Sequence, residues 1–402
     1  MTPATAPDGF AGLGIAPKLL TILQRLHFST PTPIQQRAIP IAASGKDIIG
    51  VAQTGTGKTL AFGLPVIQCL AKMPGVQALI VLPTRELTQQ VDETLQQVGT
   101  QVGLRTAMII GGESMHLQLQ RLRRKPHVII ATPGRLLDHM KQKTITLQAV
   151  KIVVLDEADR MFDMGFAPQL HQILKHVPTP HQTMLFSATM PAPIVQLATS
   201  YMELPLRVEV APAGTTAAGV EQEMIIVQKT DKATVVEKLL RECSGRVLVF
   251  SRTKHGAKRI CASLRDSGYK VAEIHSNRSL AQRRAAMAGF KTGKHQILVA
   301  TDIAARGIDV TDIALVINYD LPDNPEDYVH RIGRTGRAGK TGKAISLATP
   351  DQRVDIRRIE RLIQRNLPLT KLTEFAPEKI VYKSSQRRRR GGSGGFHQRR
   401  RR

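Results

Sequence analysis

The chain has 402 residues and 42% of them are hydrophobic, so it can form two or three domains with their own cores and is not disordered throughout. Lys and Arg number 57 against 32 Asp and Glu, a formal net charge of +25, which favours a polyanionic partner, nucleic acid before a membrane surface. The alternative is a basic surface that only keeps the protein soluble.

In the first half of the chain, short apolar runs rich in β-branched residues alternate with helix-length stretches. The predicted strands there are Ile48 to Val51, Ala78 to Leu82, Thr106 to Ile110, Val128 to Ala131, Ile152 to Leu155 and Thr183 to Phe186. Nearly continuous apolar strands separated by helices are typical of a parallel sheet covered on both faces. We therefore predict an α/β domain over residues 1–210.

A stretch of small, uncharged residues, 211–219, is predicted to be a linker to a second α/β domain over residues 220–372. The predicted strands of that domain are Val247 to Phe250, Val271 to Ile274, Ile297 to Ala300, Leu315 to Asn318 and Ala344 to Leu347. Residues 373–402 become rich in Arg and Gly. Because glycine and like charges cannot build a core, we predict a disordered basic tail that is suited to a polyanionic partner.

Three further features bear on location. No apolar run approaches the roughly 20 residues of a transmembrane helix. The first ten residues lack the basic and apolar regions of a secretory signal. Cys69, Cys243 and Cys261 are scattered, without a pair at metal-ligand spacing, and are interpreted as reduced thiols. Together these features predict a cytoplasmic protein.

A glycine-rich segment joins the first predicted strand to a helical pattern and reads Thr54-Gly55-Thr56-Gly57-Lys58-Thr59. Its glycines allow successive backbone N–H groups to face a phosphate at a helix N-terminus. Lys58 is predicted to reach the β- and γ-phosphates of a nucleotide, and the Thr59 hydroxyl to bind Mg²⁺. The strict pattern has glycine where this chain has Ala52, and an ordinary glycine turn is the alternative.

The fifth predicted strand ends in the acidic run Asp156-Glu157-Ala158-Asp159. Nucleotide-hydrolysing folds place a magnesium ligand at the tip of a buried strand, so Asp156 is predicted to hold the metal through coordinated water. Glu157 is predicted to orient and deprotonate the attacking water. Alone, such a run is more often a solvated loop or a helix cap, but its position after the phosphate loop favours catalysis.

A further segment resembles the adenine-binding motif of the DEAD-box RNA helicase family: Thr30-Pro31-Thr32-Pro33-Ile34-Gln35. Together with the phosphate loop and the acidic run, it extends the resemblance to this family from about Phe10 to about Leu372. It implies two RecA-like domains in tandem and an RNA-stimulated ATPase and RNA helicase that uses ATP and Mg²⁺. By this resemblance, Gln35 pairs with the adenine edge and Phe10 packs on the base. His27 stands where the family usually has glycine.

The tripeptide Ser187-Ala188-Thr189 resembles the family motif that links hydrolysis to strand separation. Small hydroxyl groups suit this position because they can exchange hydrogen bonds between the acidic run and the second domain. The resemblance therefore implies a coupling role for Ser187, Thr189 and Asp159.

Several stretches just beyond predicted strands resemble the family's contacts to the RNA backbone, which bind phosphates without reading bases. The implied contacts in the first domain are Thr84, Arg85, Gly111, Gly112, Thr132 and Arg135. Those in the second domain are Arg252, Arg283 and Thr301, and Asp309 is implied to bind the ribose hydroxyl. Leu280 replaces the glutamine of the family's Q-x-x-R contact. Surface salt bridges are the alternative for Arg85 and Arg135.

The segment from Tyr328 to Arg337 carries arginines three residues apart among glycines. An arginine at the γ-phosphate stabilises charge in the transition state and is typically worth about 10³–10⁵ in rate. Arg334 and Arg337 match the family's arginine fingers, and His330 matches its link to the acidic run. Simple RNA binding is the alternative, but it leaves the ordered glycines unexplained.

The segment Arg252-Thr253-Lys254-His255-Gly256-Ala257 and the turn Asp163-Met164-Gly165-Phe166 further resemble the bacterial RhlE-type branch. Because the site is divided between domains, catalysis is expected only after closure. We expect a monomer that unwinds short RNA duplexes non-processively or remodels RNA–protein complexes, with ribosomal-precursor or RNA-decay assemblies as candidate partners. Alternatives are an RNA clamp with a vestigial ATPase, an ATP-independent annealing chaperone and a DNA helicase.

Overall fold

The computed structural model describes residues 9–53, 55–70, 75–210, 220–305, 310, 312–336 and 341–370. Within these ranges the chain forms two parallel sheets of seven strands each, with helices packed against them. The predicted linker and the predicted basic tail lie outside the described residues.

The first domain is built from alternating strands and helices. Its strands are Ile48–Val51 (β1), Ala78–Val81 (β2), Thr106–Ile109 (β3), Val128–Ala131 (β4), Ile152–Leu155 (β5), Gln182–Ser187 (β6) and Leu206–Glu209 (β7). Its helices are Pro17–Arg25 (α1), Pro33–Ala43 (α2), Lys58–Leu70 (α3), Arg85–Gly99 (α4), Met115–Arg123 (α5), Pro133–Lys141 (α6), Ala158–Asp163 (α7), Ala167–Leu174 (α8) and Ala192–Tyr201 (α9).

The second domain repeats this alternation. Its strands are Val220–Ile226 (β8), Arg246–Phe250 (β9), Val271–Ile274 (β10), Ile297–Ala300 (β11), Ile313–Asn318 (β12), Gly342–Ala348 (β13) and Leu369–Thr370 (β14). Its helices are Lys232–Glu242 (α10), Lys254–Asp266 (α11), Leu280–Lys291 (α12), Asp302–Ala305 (α13), Pro325–Ile332 (α14) and Arg353–Ile363 (α15).

The two sheets have the same topology. Their strand orders are β3-β4-β2-β5-β6-β1-β7 and β10-β11-β9-β12-β13-β8-β14, which is one permutation used twice. The paired strands of the described residues run parallel. Parallel strands bring their carboxyl ends to one edge of a sheet, so the loops that follow them gather there.

Each sheet is covered on both faces, as the sequence pattern predicts. Along β5, Ile152 and Val154 belong to the apolar cluster on one face, whereas Val153 and Leu155 belong to the cluster on the other. A strand buried on both sides needs apolar residues at every position, which explains the continuous runs. Among the described residues, no helix combines the length and apolar character required to cross a membrane.

The predicted strands are confirmed, with ends that differ by at most two residues. Three strands were not predicted: Leu206–Glu209, Val220–Ile226 and Leu369–Thr370. All three lie at or next to a sheet edge. There the strands are partly exposed, so polar residues such as Glu221 and Glu223 interrupt the apolar pattern on which the prediction depends.

Candidate active site between the two domains

The loop between β1 and α3 places its lysine beside the first acid after β5. Gly55 and Gly57 have φ angles of 87° and 91°, which glycine adopts without strain. Lys58 starts α3 and is 5% exposed. Its Nζ lies 3.2 Å from the Ala52 carbonyl oxygen and 3.5 Å from Asp156 Oδ1. A fixed cation at a helix N-terminus is suited to binding phosphate.

Gln35, the predicted adenine contact, also supports the phosphate loop. Its Oε1 accepts a hydrogen bond from the Thr32 backbone N–H at 2.9 Å, and its Nε2 donates to the Gly57 carbonyl at 2.9 Å. A Cβ atom at Gly57 would lie 2.5 Å from Gln35 Nε2, so this contact requires glycine. An amide has a second acceptor site and a second N–H. Gln35 therefore keeps the capacity to bind a base edge.

Phe10, the predicted partner of the base, lies mostly inside the first domain. Its side chain is 5% exposed and belongs to the same apolar cluster as Ile34 of α2. Only a small part of the ring is therefore available to a base, and the stacking role stays a prediction.

The two acidic residues that follow β5 are buried, and a positively charged side chain lies close to each of them. Asp156 and Glu157 are each 2% exposed, and the Glu157 backbone N–H donates to Asp156 Oδ1 at 2.9 Å. Burial raises the pKa of Asp156, and the Lys58 ammonium opposes this shift. Arg160 Nη1 lies 3.5 Å from Glu157 Oε2. Each carboxylate thus has a cation within 3.5 Å.

The donor chemistry around Asp156 fits magnesium. Mg²⁺ binds oxygen ligands and commonly uses one or two protein groups together with substrate phosphates and water. The Asp156 carboxylate and the Thr59 hydroxyl are such groups. No cluster of three or more His, Cys, Asp or Glu side chains able to hold a metal occurs among the described residues. A magnesium ion at Asp156 would therefore take its remaining ligands from the nucleotide and water.

Asp159 connects α7 to the segment that follows β6. Its Oδ2 accepts hydrogen bonds from the backbone N–H groups of Ala188 at 3.1 Å and Thr189 at 2.9 Å, and from the Thr189 hydroxyl at 3.0 Å. The Asp159 backbone N–H donates to Ser187 Oγ at 3.2 Å. A shift of this segment would therefore be transmitted directly to the start of α7.

The arginine segment of the second domain faces α7 across a narrow gap. Arg334 is 2% exposed, and its Nε donates to the His330 carbonyl oxygen at 3.2 Å. Both residues line, with Arg160 of the first domain, a cavity of about 10 Å³, which is room for about one water molecule. The structure thus places Arg334 against the helix that begins beside Glu157. Three predicted site residues lie outside the described residues: Thr54, Asp309 and Arg337.

Arg331 anchors this segment within the second domain. It is 1% exposed, and its guanidinium binds the Asp302 carboxylate through two contacts of 2.5 and 2.7 Å. It also donates to the Asp320 carbonyl oxygen at 2.6 Å and lies 5.1 Å from the centre of the Phe250 ring. Arg331 therefore fixes the end of α14, from which Arg334 projects.

The predicted RNA contacts of the first domain converge on one cavity of about 270 Å³, which we call the RNA cavity after that prediction. Those that line it are Thr84, Arg85, Gly111, Thr132 and Arg135. Arg85 lies across Gly111 and Gly112, and a Cβ atom at Gly112 would overlap its guanidinium. Burial and the nearby Arg283 lower the pKa of Arg85, but a guanidinium still remains charged in water. The cavity is thus built for an anion.

Arg283, a predicted RNA contact, also lines this cavity and bridges the two domains. Its Nη2 lies 2.8 Å from Glu86 Oε2, and both side chains are 11% exposed. Burial raises the pKa of Glu86, and Arg283 is the main opposing charge. Arg284 Nε donates to Gln89 Oε1 at 3.0 Å and adds a second interdomain contact. Helix α12 is therefore attached to α4 at the RNA cavity.

The other two RNA contacts predicted for the second domain lie at the carboxyl ends of its strands. Arg252 follows β9, and its backbone N–H donates to Asp320 Oδ2 at 3.1 Å. Thr301 follows β11, and its backbone N–H donates to the Ile274 carbonyl oxygen at 3.3 Å. Neither residue lines the RNA cavity.

Comparison with known proteins agrees with this geometry. The family model "DEAD/DEAH box helicase" matches residues 32–197, and "Helicase conserved C-terminal domain" matches residues 231–339. The chain is 43% identical over 364 residues to the DEAD-box ATP-dependent RNA helicase CshA of Bacillus licheniformis, covering 90% of this chain and 75% of that protein. The chain belongs to the DEAD-box RNA helicase family. It is an ATP-dependent RNA helicase with RNA-stimulated ATPase activity.

Further relatives of this helicase include a eukaryotic protein and a solved complex. The ATP-dependent rRNA helicase RRP3 of Debaryomyces hansenii is 44% identical over 362 residues, covering 89% of this chain and 76% of that protein. The structure of S. cerevisiae Dbp5 bound to RNA and ADP BeF3 has a TM-score of 0.83 and 30% identity, covering 91% and 95% of the two chains. The two RecA-like domains are thus confirmed, and ATP and RNA are ligands of the family.

Several residues that lie at these sites were not predicted from the sequence. Arg160 follows the acidic run directly, and its spacing of three from Glu157 on a helix is a signal that was present in the sequence. Met164 and Phe166 form an apolar wall of the RNA cavity. Their turn resembled a branch motif but gave no indication of this position. The role of Glu86 could not be predicted from the sequence, because its ion-pair partner, Arg283, lies in the other domain.

Proposed function

We propose that this helicase opens short RNA duplexes locally, without translocating, by closing its two domains around ATP and RNA. Arg334 of the second domain lines the same small cavity as Arg160 of the first, and Arg160 lies 3.5 Å from Glu157. Parts from both domains thus meet at one place. In this proposal residues 1–210 bind ATP and supply the catalytic acids, and residues 220–372 supply the arginines, with 211–219 as linker and 373–402 as RNA-tethering tail.

The proposed chemistry divides among a few side chains. Lys58 binds the β- and γ-phosphates, and Asp156 and Thr59 would hold Mg²⁺, which would supply positive charge to neutralise the phosphates. Glu157 accepts a proton from the attacking water. Arg334 and Arg337 stabilise the charge that develops on the γ-phosphate, and His330 joins them to the first domain.

Further side chains recognise the nucleotide and the RNA. Gln35 and Phe10 bind adenine and Asp309 the ribose. The residues proposed to contact the RNA backbone are Thr84, Arg85, Gly111, Gly112, Thr132, Arg135, Arg252, Arg283 and Thr301. Phosphate contacts position RNA without reading its sequence, so the core has little sequence preference. The coupling of ATP hydrolysis to RNA strand separation is assigned to Ser187, Thr189 and Asp159.

The available free energy limits what one closure can do. Separating five base pairs costs about 7 kcal/mol if each step costs about 1.4 kcal/mol, the mean for duplex DNA. Nucleotide binding with a micromolar Kd supplies about 8 kcal/mol. One binding event thus suffices for a short duplex and not for a long one, and hydrolysis serves to release the RNA.

A duplex-length series tests this proposal. We expect unwinding in a single encounter to fall steeply as base pairs are added one at a time, because each added pair raises the cost by about 1.4 kcal/mol, roughly ten-fold in rate. Strand separation is measured by gel electrophoresis in the presence of a trap that prevents the protein from rebinding the duplex. Efficient single-encounter unwinding of long duplexes would contradict local opening.

The narrower assignments are also proposals. The protein is a cytoplasmic monomer that acts on RNA in ribosomal-precursor or RNA-decay assemblies, and its cysteines at 69, 243 and 261 are free thiols. The RhlE-type branch rests on residues 252–257 and the turn at 163–166. Since the relatives described above are named CshA and RRP3, the branch stays a prediction.

A further inference from the structure

A groove that the proposed function does not use lies along the open edge of the second sheet. β10 is the terminal strand of that sheet, and the groove between it and α12 has a volume of about 500 Å³. Ala272, Ala286 and Gly289 form part of its floor, and Arg265, Arg278 and Lys294 lie along it. We call this feature the α12 groove.

The α12 groove carries excess positive charge. Arg265 and Lys294 are exposed, and no carboxylate in the described part of the chain lies within ion-pair distance of either. The acid among the described lining residues is Glu273, which is 7% exposed. Arg278 and His275 both bind its carboxylate, so its charge is already compensated. The groove therefore suits an anionic ligand.

His295 is held in place along the groove. Its ring packs on α12 at Gly289, where a Cβ atom would overlap it. Burial lowers the pKa of His295, and the cations of Lys294 and Arg265 lower it further. Near neutral pH the ring is thus uncharged and contributes a hydrogen-bonding group beside two fixed positive charges.

Helix α12 joins this groove to the RNA cavity. Arg283 lines the cavity, whereas Gln282, the preceding residue, lines the groove. The helix has 12 residues and is therefore about 18 Å long. The groove therefore begins beside the proposed RNA path, and a strand that leaves the cavity at Arg283 would meet Gln282 first and Lys294 further along.

We propose that the α12 groove is a second RNA-binding track, which holds the phosphate backbone of RNA that extends beyond the interdomain cavity. This inference rests on the proposed RNA path. A protein partner is disfavoured because the cores of protein interfaces are enriched in large aromatic side chains and Met, whereas the largest apolar side chain among the described lining residues is Val271. Those residues also include no Phe, Tyr or Trp ring, and the His295 ring already packs on Gly289, so base stacking is limited and the track binds backbone regardless of sequence.

The test compares full-length protein with the variant Arg265→Gln/Lys294→Gln. Binding is measured by fluorescence anisotropy with a non-hydrolysable ATP analogue and single-stranded RNAs lengthened one nucleotide at a time. We expect equal affinity for the shortest RNAs. For RNAs long enough to reach the groove, we expect a loss of about ten-fold and a log–log salt slope smaller by about 1.4, because two phosphate contacts are removed.

The matched control is Arg357→Gln/Arg361→Gln, which removes the same charge from exposed positions on α15 of the same domain. An equal loss in this control, or a loss that does not depend on RNA length, would overturn the proposal. So would unchanged binding of long RNA, even if the groove captured an acidic peptide. RNA-stimulated ATPase activity with the shortest RNA reports the proposed function separately, and it is unchanged in both variants if only the track is affected.

Crosslinking distinguishes the groove from the basic tail. The length series identifies the longest RNA that the Arg265→Gln/Lys294→Gln variant binds as tightly as the unmodified protein does. A photoreactive nucleotide is placed one position beyond that length. Crosslinks to the peptide containing Gln282 to Lys294 support the track. Crosslinks confined to residues 373–402 overturn it.

Discussion

Glu157 adopts a left-handed backbone conformation, with φ of 53° and ψ of 49°. For a residue other than glycine this costs about 1 kcal/mol or more, and such strain is common at functional sites. The conformation allows the Glu157 N–H to bind Asp156 Oδ1 while the Glu157 carboxylate faces Arg160. The strained turn thus places two adjacent carboxylates beside different cations, Lys58 and Arg160.

The substitution Glu157→Gln tests the role of this carboxylate. The amide keeps the size of the side chain but cannot accept the water proton, so we expect kcat for ATP to fall about 10²–10⁴-fold. ATP and RNA binding remain, and the closed complex accumulates. RNA-saturated phosphate release measures the rate, with Glu242→Gln, an exposed acid on α10, as the control. Turnover near that of the control would exclude Glu157 as the base.

At the scale of single residues, the sequence identifies side chains whose neighbours along the chain define a motif. Lys58 and Asp156 are of this kind, and the structure places them 3.5 Å apart. Contacts between distant segments are different. The bond from Gln35 to Gly57 and the pair Arg283–Glu86 depend on how elements and domains pack, and the sequence carries no local pattern for them.

At the scale of elements, the loop after β3 is shaped by the arginine that lies across it. Gly112 has φ of 77°, and the space that a side chain would need there is filled by the Arg85 guanidinium. Two separate requirements, a positive φ and a close approach, therefore select glycine at this position. Its effect is to fix Arg85 in the RNA cavity.

The substitution Gly112→Ala should displace Arg85 and weaken RNA binding, while ATP binding in the absence of RNA stays unchanged. The positive φ alone should reduce the free energy of unfolding by about 1 kcal/mol. Gly103→Ala is the matched control, because Gly103 has φ of 84° but no atom within 4 Å of the added Cβ. Fluorescence anisotropy with RNA separates the two effects. Equal RNA affinity in both variants would mean that Arg85 is not positioned by Gly112.

Elements buried on both sides could be predicted from their apolar runs, whereas those at the sheet edges could not. β5 is apolar at each position and was predicted with its correct ends. β7 has two exposed residues and charged side chains, so it lacks a distinctive pattern. Its pairing with β1 is a tertiary property that only the folded domain determines.

At the scale of the whole molecule, two copies of one sheet topology supply complementary halves of a site. In the proposed site, the first provides Lys58, Asp156 and Glu157, and the second provides Arg334. Contacts from α12 to α4 hold the domains together at the cavity that the predicted RNA contacts line. A ligand that bridges both domains favours the closed arrangement, so ATP and RNA should each increase the affinity of the other.

We expect ATP hydrolysis to require Arg334 from the second domain. The most direct measurement is single-turnover ATP hydrolysis by Arg334→Lys at saturating RNA, with domain closure followed in the same sample by energy transfer between dyes on the two domains. Lysine keeps the charge but loses the planar guanidinium. We predict normal closure and hydrolysis slower by about 10³-fold or more. Normal closure with hydrolysis within about ten-fold of the unmodified protein, far short of an arginine finger's usual effect, would contradict this claim.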